Sequence, residues 1–71
     1  MVDTDRLRKR ISDQNMTVAD VAKEMSIDKA TLYRRMSAPE SFTIGEALKI
    51  AEILGLPHIE SAAIFFAEHV A

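Results

Sequence analysis

Three side chains that can donate hydrogen bonds are spaced to share one face of a helix. Tyr33 and Arg34 follow Lys29 by four and five positions, which places all three on one side of an α-helix. Ammonium, phenol and guanidinium groups bind phosphate oxygens and also the acceptor atoms on base edges. The alternative is an ordinary solvated helix face. We favour a binding surface, because a solvated helix has no need of an exposed tyrosine.

Residues that support metal binding or catalysis are few and poorly spaced. The chain has two histidines, His58 and His69, eleven positions apart, and no cysteine. We therefore expect no metal site and no cofactor. The two glycines are ten positions apart, so they cannot form a glycine-rich phosphate loop, and no serine has the surroundings of a nucleophile elbow. We predict that the protein is not an enzyme.

The composition is that of a small folded domain. The chain has 71 residues, of which 48% are hydrophobic and 28% charged. We expect one domain over residues 1–71, near the smallest size at which a hydrophobic core suffices without disulfides. No apolar segment reaches the roughly 18 residues that cross a membrane, and the N-terminus lacks the apolar core of a signal peptide. These features predict a cytoplasmic protein.

Charge is distributed unevenly around a net value of −2. Residues 1–36 contain eight Lys or Arg against six Asp or Glu, whereas residues 37–71 contain one against five. An acidic second half weakens long-range attraction to a polyanion, but local contacts depend on where the charges lie. The helix face formed by Lys29, Tyr33 and Arg34, called the donor face below, is in the basic half.

Two short helices joined by a tight turn must position this face, within residues 16–36. The first helix of the pair has Thr17 as its N-cap and an apolar stripe with helical spacing. That stripe is Val18, Val21, Ala22 and Met25. The second is capped by Asp28 and has an apolar pair, Leu32 and Met36, opposite the donor residues.

Three further helices complete a predicted all-α fold. They are expected from Asp3 or Thr4 to about Gln14, from Thr43 to about Leu54, and from Pro57 or His58 to Glu68 or His69. Thr43 and Glu46 make a T-x-x-E capping box, and Gly55 is a C-terminal cap.

The last two helices hold more apolar residues than one face of each can bury. The stripes expected to face the core are Ile44, Ala47, Leu48, Ala51 and Leu54 on helix four, and Ile59, Ala62, Ala63, Phe66 and Val70 on helix five. The surplus residues are Ile50, Ile53, Ile64 and Phe65. This surplus indicates either a very full core or a contact surface, and these four residues are our candidates for contact with another protein.

Residues 16–36 resemble the helix-turn-helix of the phage repressor and Cro family, also called the XRE family. The family pattern is a small polar cap, a small residue five positions on, an aliphatic residue in the turn and a Thr-aliphatic pair. Those places are occupied by Thr17, Ala22, Ile27, Thr31 and Leu32. The stretch after residue 41 looks like the family's fourth helix, so the resemblance covers about residues 5–56.

Two positions depart from the family pattern. Ser26 stands where the family usually has a turn glycine, and a left-handed backbone at a serine costs on the order of 1 kcal/mol. Val18 stands where the family often has a phosphate-binding glutamine.

The resemblance implies a compact five-helix, lambda-repressor-like domain whose third helix reads double-stranded operator DNA in the major groove. Lys29 is then expected to donate to guanine, Ala30 and Thr31 to touch a thymine methyl, and Tyr33 and Arg34 to bind bases or phosphates. Thr17 adds a phosphate contact through its hydroxyl or amide. The alternative for Thr31 is a cap or packing role within its helix, and for Arg35 a pair with Glu24 or Asp20.

A second hypothesis is an antirepressor, which binds a partner repressor and masks its DNA-binding surface. The acidic balance, the missing glutamine and the surplus apolar residues favour it, because an acidic face suits the basic DNA-reading face of a repressor. The first hypothesis predicts a homodimer on operator DNA. The second predicts a hetero-complex with a repressor protein.

Overall fold

Five α-helices make up most of residues 2–66, the part of the chain that the computed structural model describes. They are α1 (Thr4–Asp13), α2 (Val18–Glu24), α3 (Lys29–Ser37), α4 (Ile44–Leu54) and α5 (His58–Phe65). A short 3-10 helix, Pro39–Ser41, lies between α3 and α4, and residues 2–66 contain no strand. The all-α prediction is confirmed. The predicted end of the fifth helix at Glu68 or His69 lies outside the described residues.

Reciprocal side-chain caps begin α2 and α4. The Thr43 hydroxyl accepts from the Glu46 backbone N–H at 3.0 Å, and the Glu46 carboxylate accepts from the Thr43 backbone N–H at 2.9 Å. The same arrangement joins Thr17 and Asp20, at 3.1 and 2.8 Å. The predicted box of α4 is thus confirmed. The box of α2 was missed, because its third residue is Asp instead of the usual Glu or Gln.

The turn between α2 and α3 has a left-handed backbone at Ser26, with φ of 60°. The Ser26 N–H donates to the Lys23 carbonyl and the Ile27 N–H to the Ala22 carbonyl, both at 3.0 Å. The conformation expected at this position is therefore present in spite of the serine. Gly55 ends α4 with φ of 65°, also as predicted.

All five helices contribute to one hydrophobic core. α2 packs against α3 and α4, and α1 packs against both α2 and α5. The largest fully buried side chains are Leu7, Val21, Leu32, Ile50 and Ile64. Because Leu32 and Met36 are buried, the opposite side of α3 faces outward.

The contact surface predicted on α4 and α5 is wrong, because its residues belong to the core. Ile50, Ile64 and Phe65 are 1%, 0% and 5% exposed, and Ile53 is half-buried against the same core. The Phe65 ring also meets the Phe42 ring edge to face, with centroids 5.8 Å apart.

Several residues predicted to face the core are exposed instead. Ile44 and Leu48 on α4 are 70% and 61% exposed, and Ile59 and Phe66 are 80% and 46% exposed. Val70 lies outside the described residues. The physical reason is that both helices have apolar residues on most sides, so periodicity alone could not select the buried face.

The orientation of α5 is set by its contact with α1. Glu60 forms an ion pair with Arg10 of α1, and Ile64, one turn after Glu60, is completely buried. These two residues turn the Glu60 and Ile64 side of α5 inward. Of the helices described, none has the length and hydrophobicity needed to cross a bilayer.

Candidate nucleic-acid interface

The donor side chains of α3 lie together on the surface. Lys29, Ala30, Tyr33 and Arg34 are all exposed, and Tyr33 is 45% exposed although it is a large aromatic side chain. The helix is anchored from the other side by buried Leu32. The fold therefore presents ammonium, phenol and guanidinium groups on one outer face. Their contact with DNA stays a prediction.

Thr31 has a defined role within this face. It is half-buried, and its hydroxyl oxygen accepts a hydrogen bond from Nη2 of Arg34 at 3.1 Å. The guanidinium of Arg34 is therefore held over the preceding turn of α3. Its remaining N–H groups are available for an outside acceptor.

The two helix starts in the motif are built differently. Asp28 is the N-cap of α3 by backbone geometry, but its side chain makes no capping hydrogen bond. At the start of α2, the backbone N–H of Thr17 already donates to the Asp20 carboxylate. The Thr17 amide therefore already has a hydrogen-bond partner within the protein. The exposed Thr17 hydroxyl keeps its own proton for donation.

Arg35 pairs with Glu46 of α4, so the alternative pairing with Glu24 or Asp20 is wrong. Nε of Arg35 lies 3.1 Å from both carboxylate oxygens of Glu46. The reason is geometric: Arg35 is roughly 100° around the helix from Arg34, on the side that approaches the first turn of α4.

The ionisation of Glu46 reflects these partners. Burial raises the pKa of Glu46, but the Thr43 backbone N–H and the Arg35 guanidinium together lower it more. The pKa of Glu46 is therefore below its ordinary value. Glu46 remains a charged acceptor at neutral pH.

The arginine side chains of α1 differ in their surroundings, since one is in ion pairs within the protein and two are exposed. Arg10 pairs with Glu60 and also with Asp13, at 3.0 Å for the latter. Arg6 and Arg8 are exposed on the same helix. Within residues 2–66, no group of three or more His, Cys, Asp or Glu is placed to hold a metal ion.

A short helix, a left-handed turn and a second helix with an outward donor face, supported by three more helices, define a helix-turn-helix DNA-binding domain. The family model of the Cro/C1-type HTH DNA-binding domain matches residues 6–59. The chain belongs to this family, which confirms the resemblance to phage repressors and Cro proteins. It is a DNA-binding transcription regulator. Comparison with curated proteins and with solved structures gave no match.

Proposed function

We propose that the protein is a repressor or Cro-like regulator of the phage genetic-switch type, which reads operator DNA with α3 in the major groove. The observation that carries this proposal is the exposed face of Lys29, Tyr33 and Arg34 on a helix whose other side is buried. A helix of this kind fits the major groove of B-DNA, where each base pair presents its own pattern of donors and acceptors.

Each residue of the face has a proposed partner. Lys29, at the first position of α3, donates to the O6 and N7 acceptors of guanine. Ala30 and the methyl of Thr31 contact a thymine methyl. Tyr33 and Arg34 bind bases or phosphates one turn later, and the Thr17 hydroxyl binds a phosphate at the start of α2.

The small size of this face favours binding as a homodimer. One recognition helix offers few base contacts, whereas two copies on adjacent half-sites combine their affinities. The net charge of −2 adds to this need, because it supplies little general attraction to DNA. We propose a single domain that acts in the cytoplasm, without enzymatic activity.

Selection from a random pool of duplex DNA tests the proposal. The purified protein should enrich one sequence family, with two half-sites about 34 Å apart if it binds as a dimer. Recovery of DNA without any shared sequence would contradict operator reading.

The second candidate function is an antirepressor that masks the DNA-reading face of a partner repressor. The observation that favours it is the exposure of Ile44 and Leu48, one turn apart on α4. Against it, Glu46 and Glu60 of the acidic half are used in internal ion pairs. Light scattering of the protein, alone and mixed with a repressor encoded beside it, separates the two functions. A mixed complex supports the antirepressor, and a homodimer that binds DNA contradicts it.

A further inference from the structure

One carboxylate connects the end of the recognition helix with the start of the next helix. Arg35 is in the last turn of α3, and Glu46 is in the first turn of α4. Both oxygens of Glu46 accept from Nε of Arg35 at 3.1 Å, and one of them also accepts from the Thr43 backbone N–H at 2.9 Å. Both side chains of the pair are half-buried, at 32% and 19% exposure. The pair is therefore built into the junction between the helices.

The two ends of α3 are held by different parts of the structure. Its first turn follows directly from the turn at Ser26, which joins it to α2. The last turn of α3 leads into the 3-10 helix Pro39–Ser41. Among the other α-helices, α3 packs mainly against α2. Arg35 and Glu46 form the hydrogen-bonded side-chain link from α3 to α4 among the described residues. Together with buried Met36, this link restrains tilting of the C-terminal end of α3.

Even a small tilt of α3 would move its side chains by more than a hydrogen bond to a base can tolerate. The nine residues of α3 span about 13 Å at 1.5 Å per residue. A tilt of about 10° about the N-terminal end then moves the C-terminal end by about 2 Å. Hydrogen bonds to bases tolerate only a few tenths of an ångström. Lys29, near the pivot, would keep its place, whereas Arg34 would lose its alignment.

We propose that Arg35 and Glu46 are positioning residues for base reading: their ion pair fixes the angle at which α3 meets DNA. This inference rests on the proposed function of α3. A partly exposed ion pair contributes little to the free energy of unfolding. We therefore expect its loss to alter the orientation of α3 more than the stability of the domain. Arg35 itself does not belong to the reading face, because its Nε is occupied by Glu46 and it points to a different side of α3 from Arg34.

Two charge-matched substitutions test the inference. Glu46→Gln removes the ion pair but keeps a residue that can complete the capping box. Glu52→Gln makes the same change in charge at an exposed position on the same helix. For each variant, the affinity for the selected DNA site and for unrelated duplex DNA is measured by fluorescence anisotropy, well below the unfolding midpoint. The ratio of these two affinities is the specificity ratio.

The inference predicts that Glu46→Gln lowers the specificity ratio by about tenfold, as expected for one weakened base contact. Glu52→Gln should leave the ratio unchanged. Arg35→Met should reproduce the loss, and the double variant Arg35→Met with Glu46→Gln should show no additional loss, because both changes break one interaction.

Two other results would overturn the inference. A wild-type ratio in Glu46→Gln would show that the pair does not set the angle of α3. If Arg35 were a direct phosphate contact, its release in Glu46→Gln would raise affinity for all DNA, and Arg35→Met would reduce the salt slope by about 1. A wild-type protein without any sequence preference would instead contradict the proposed function, and this inference with it.

Discussion

Phe65 and Phe66 offer a direct comparison of a core and a surface aromatic at adjacent positions. Phe65 is 5% exposed and packs edge to face on Phe42, whereas Phe66 is 46% exposed. Truncation of a buried phenylalanine to alanine costs about 3 to 5 kcal/mol, from lost burial and the cavity that remains. The edge-to-face contact accounts for about 0.5 to 1.5 kcal/mol of this loss. Phe65→Ala should therefore be severely destabilising.

The total stability of the domain sets the expected outcome. At about 0.05 to 0.15 kcal/mol per residue, a chain of this length has a free energy of unfolding of about 4 to 11 kcal/mol. Phe65→Ala should remove a large part of it and lower the melting temperature by at least about 12 °C. Phe66→Ala should change stability by less than about 1 kcal/mol.

Urea denaturation followed by far-ultraviolet circular dichroism measures both variants. The midpoint should fall strongly for Phe65→Ala and remain near wild type for Phe66→Ala. A larger loss in Phe66→Ala than in Phe65→Ala would refute the packing of α5, since it would mean that the side chain at position 66, and not the one at 65, lies in the core.

The remaining predictions concern the turn, the core beneath α3 and the α3–α4 junction. Ser26→Gly should be neutral or stabilising by up to about 1 kcal/mol, because glycine adopts the left-handed backbone without strain; a lower melting temperature would contradict this. Leu32→Asp should unfold the domain by burying an unpaired charge, so a native helical signal in circular dichroism would count against the core. Because the folded pKa of Glu46 is lowered, its ionised form stabilises the protein above the pKa of the unfolded chain, and this contribution is lost as the pH falls through the folded pKa. Wild type should thus be more stable than Glu46→Gln at neutral pH, and the difference should disappear in acid; a gap that stays constant with pH would disprove it.

Local signals in the sequence were sufficient to predict most of the helix boundaries. Thr43, Glu46 and Gly55 act through contacts within a few residues, so they have the same effect whatever the rest of the fold is. The break between two periodic segments predicts a turn at Ser26, whereas its left-handed backbone is implied by the resemblance to the family.

The choice of buried faces on α4 and α5 needed the tertiary structure. Both helices have apolar residues of their own on most sides. A stripe containing Ile44 and Leu48 therefore fits the helical period about as well as one containing Ile50. The Arg10–Glu60 pair and the packing of α1 select the face of α5 that is buried. These partners are far apart along the chain, and no local pattern identifies them.

The candidate site was partly predictable for the same reasons. The shared face of Lys29, Tyr33 and Arg34 follows from spacing on one helix, which sequence shows directly. The pair of Arg35 with Glu46, eleven positions away, depends on how α3 and α4 meet. The partners given for Arg35 as an alternative from sequence, Glu24 and Asp20, lie on α2 instead.

Base reading by α3 is tested by comparing Lys29→Ala with Lys49→Ala, which removes an exposed lysine on α4. Affinity is measured for the selected DNA site and for each single-base variant of it. We expect Lys29→Ala to weaken binding to the selected site by about 1 to 3 kcal/mol and to abolish the preference for guanine at one position, whereas Lys49→Ala should keep the wild-type base preferences. Identical base preferences in Lys29→Ala and wild type at every position would contradict it.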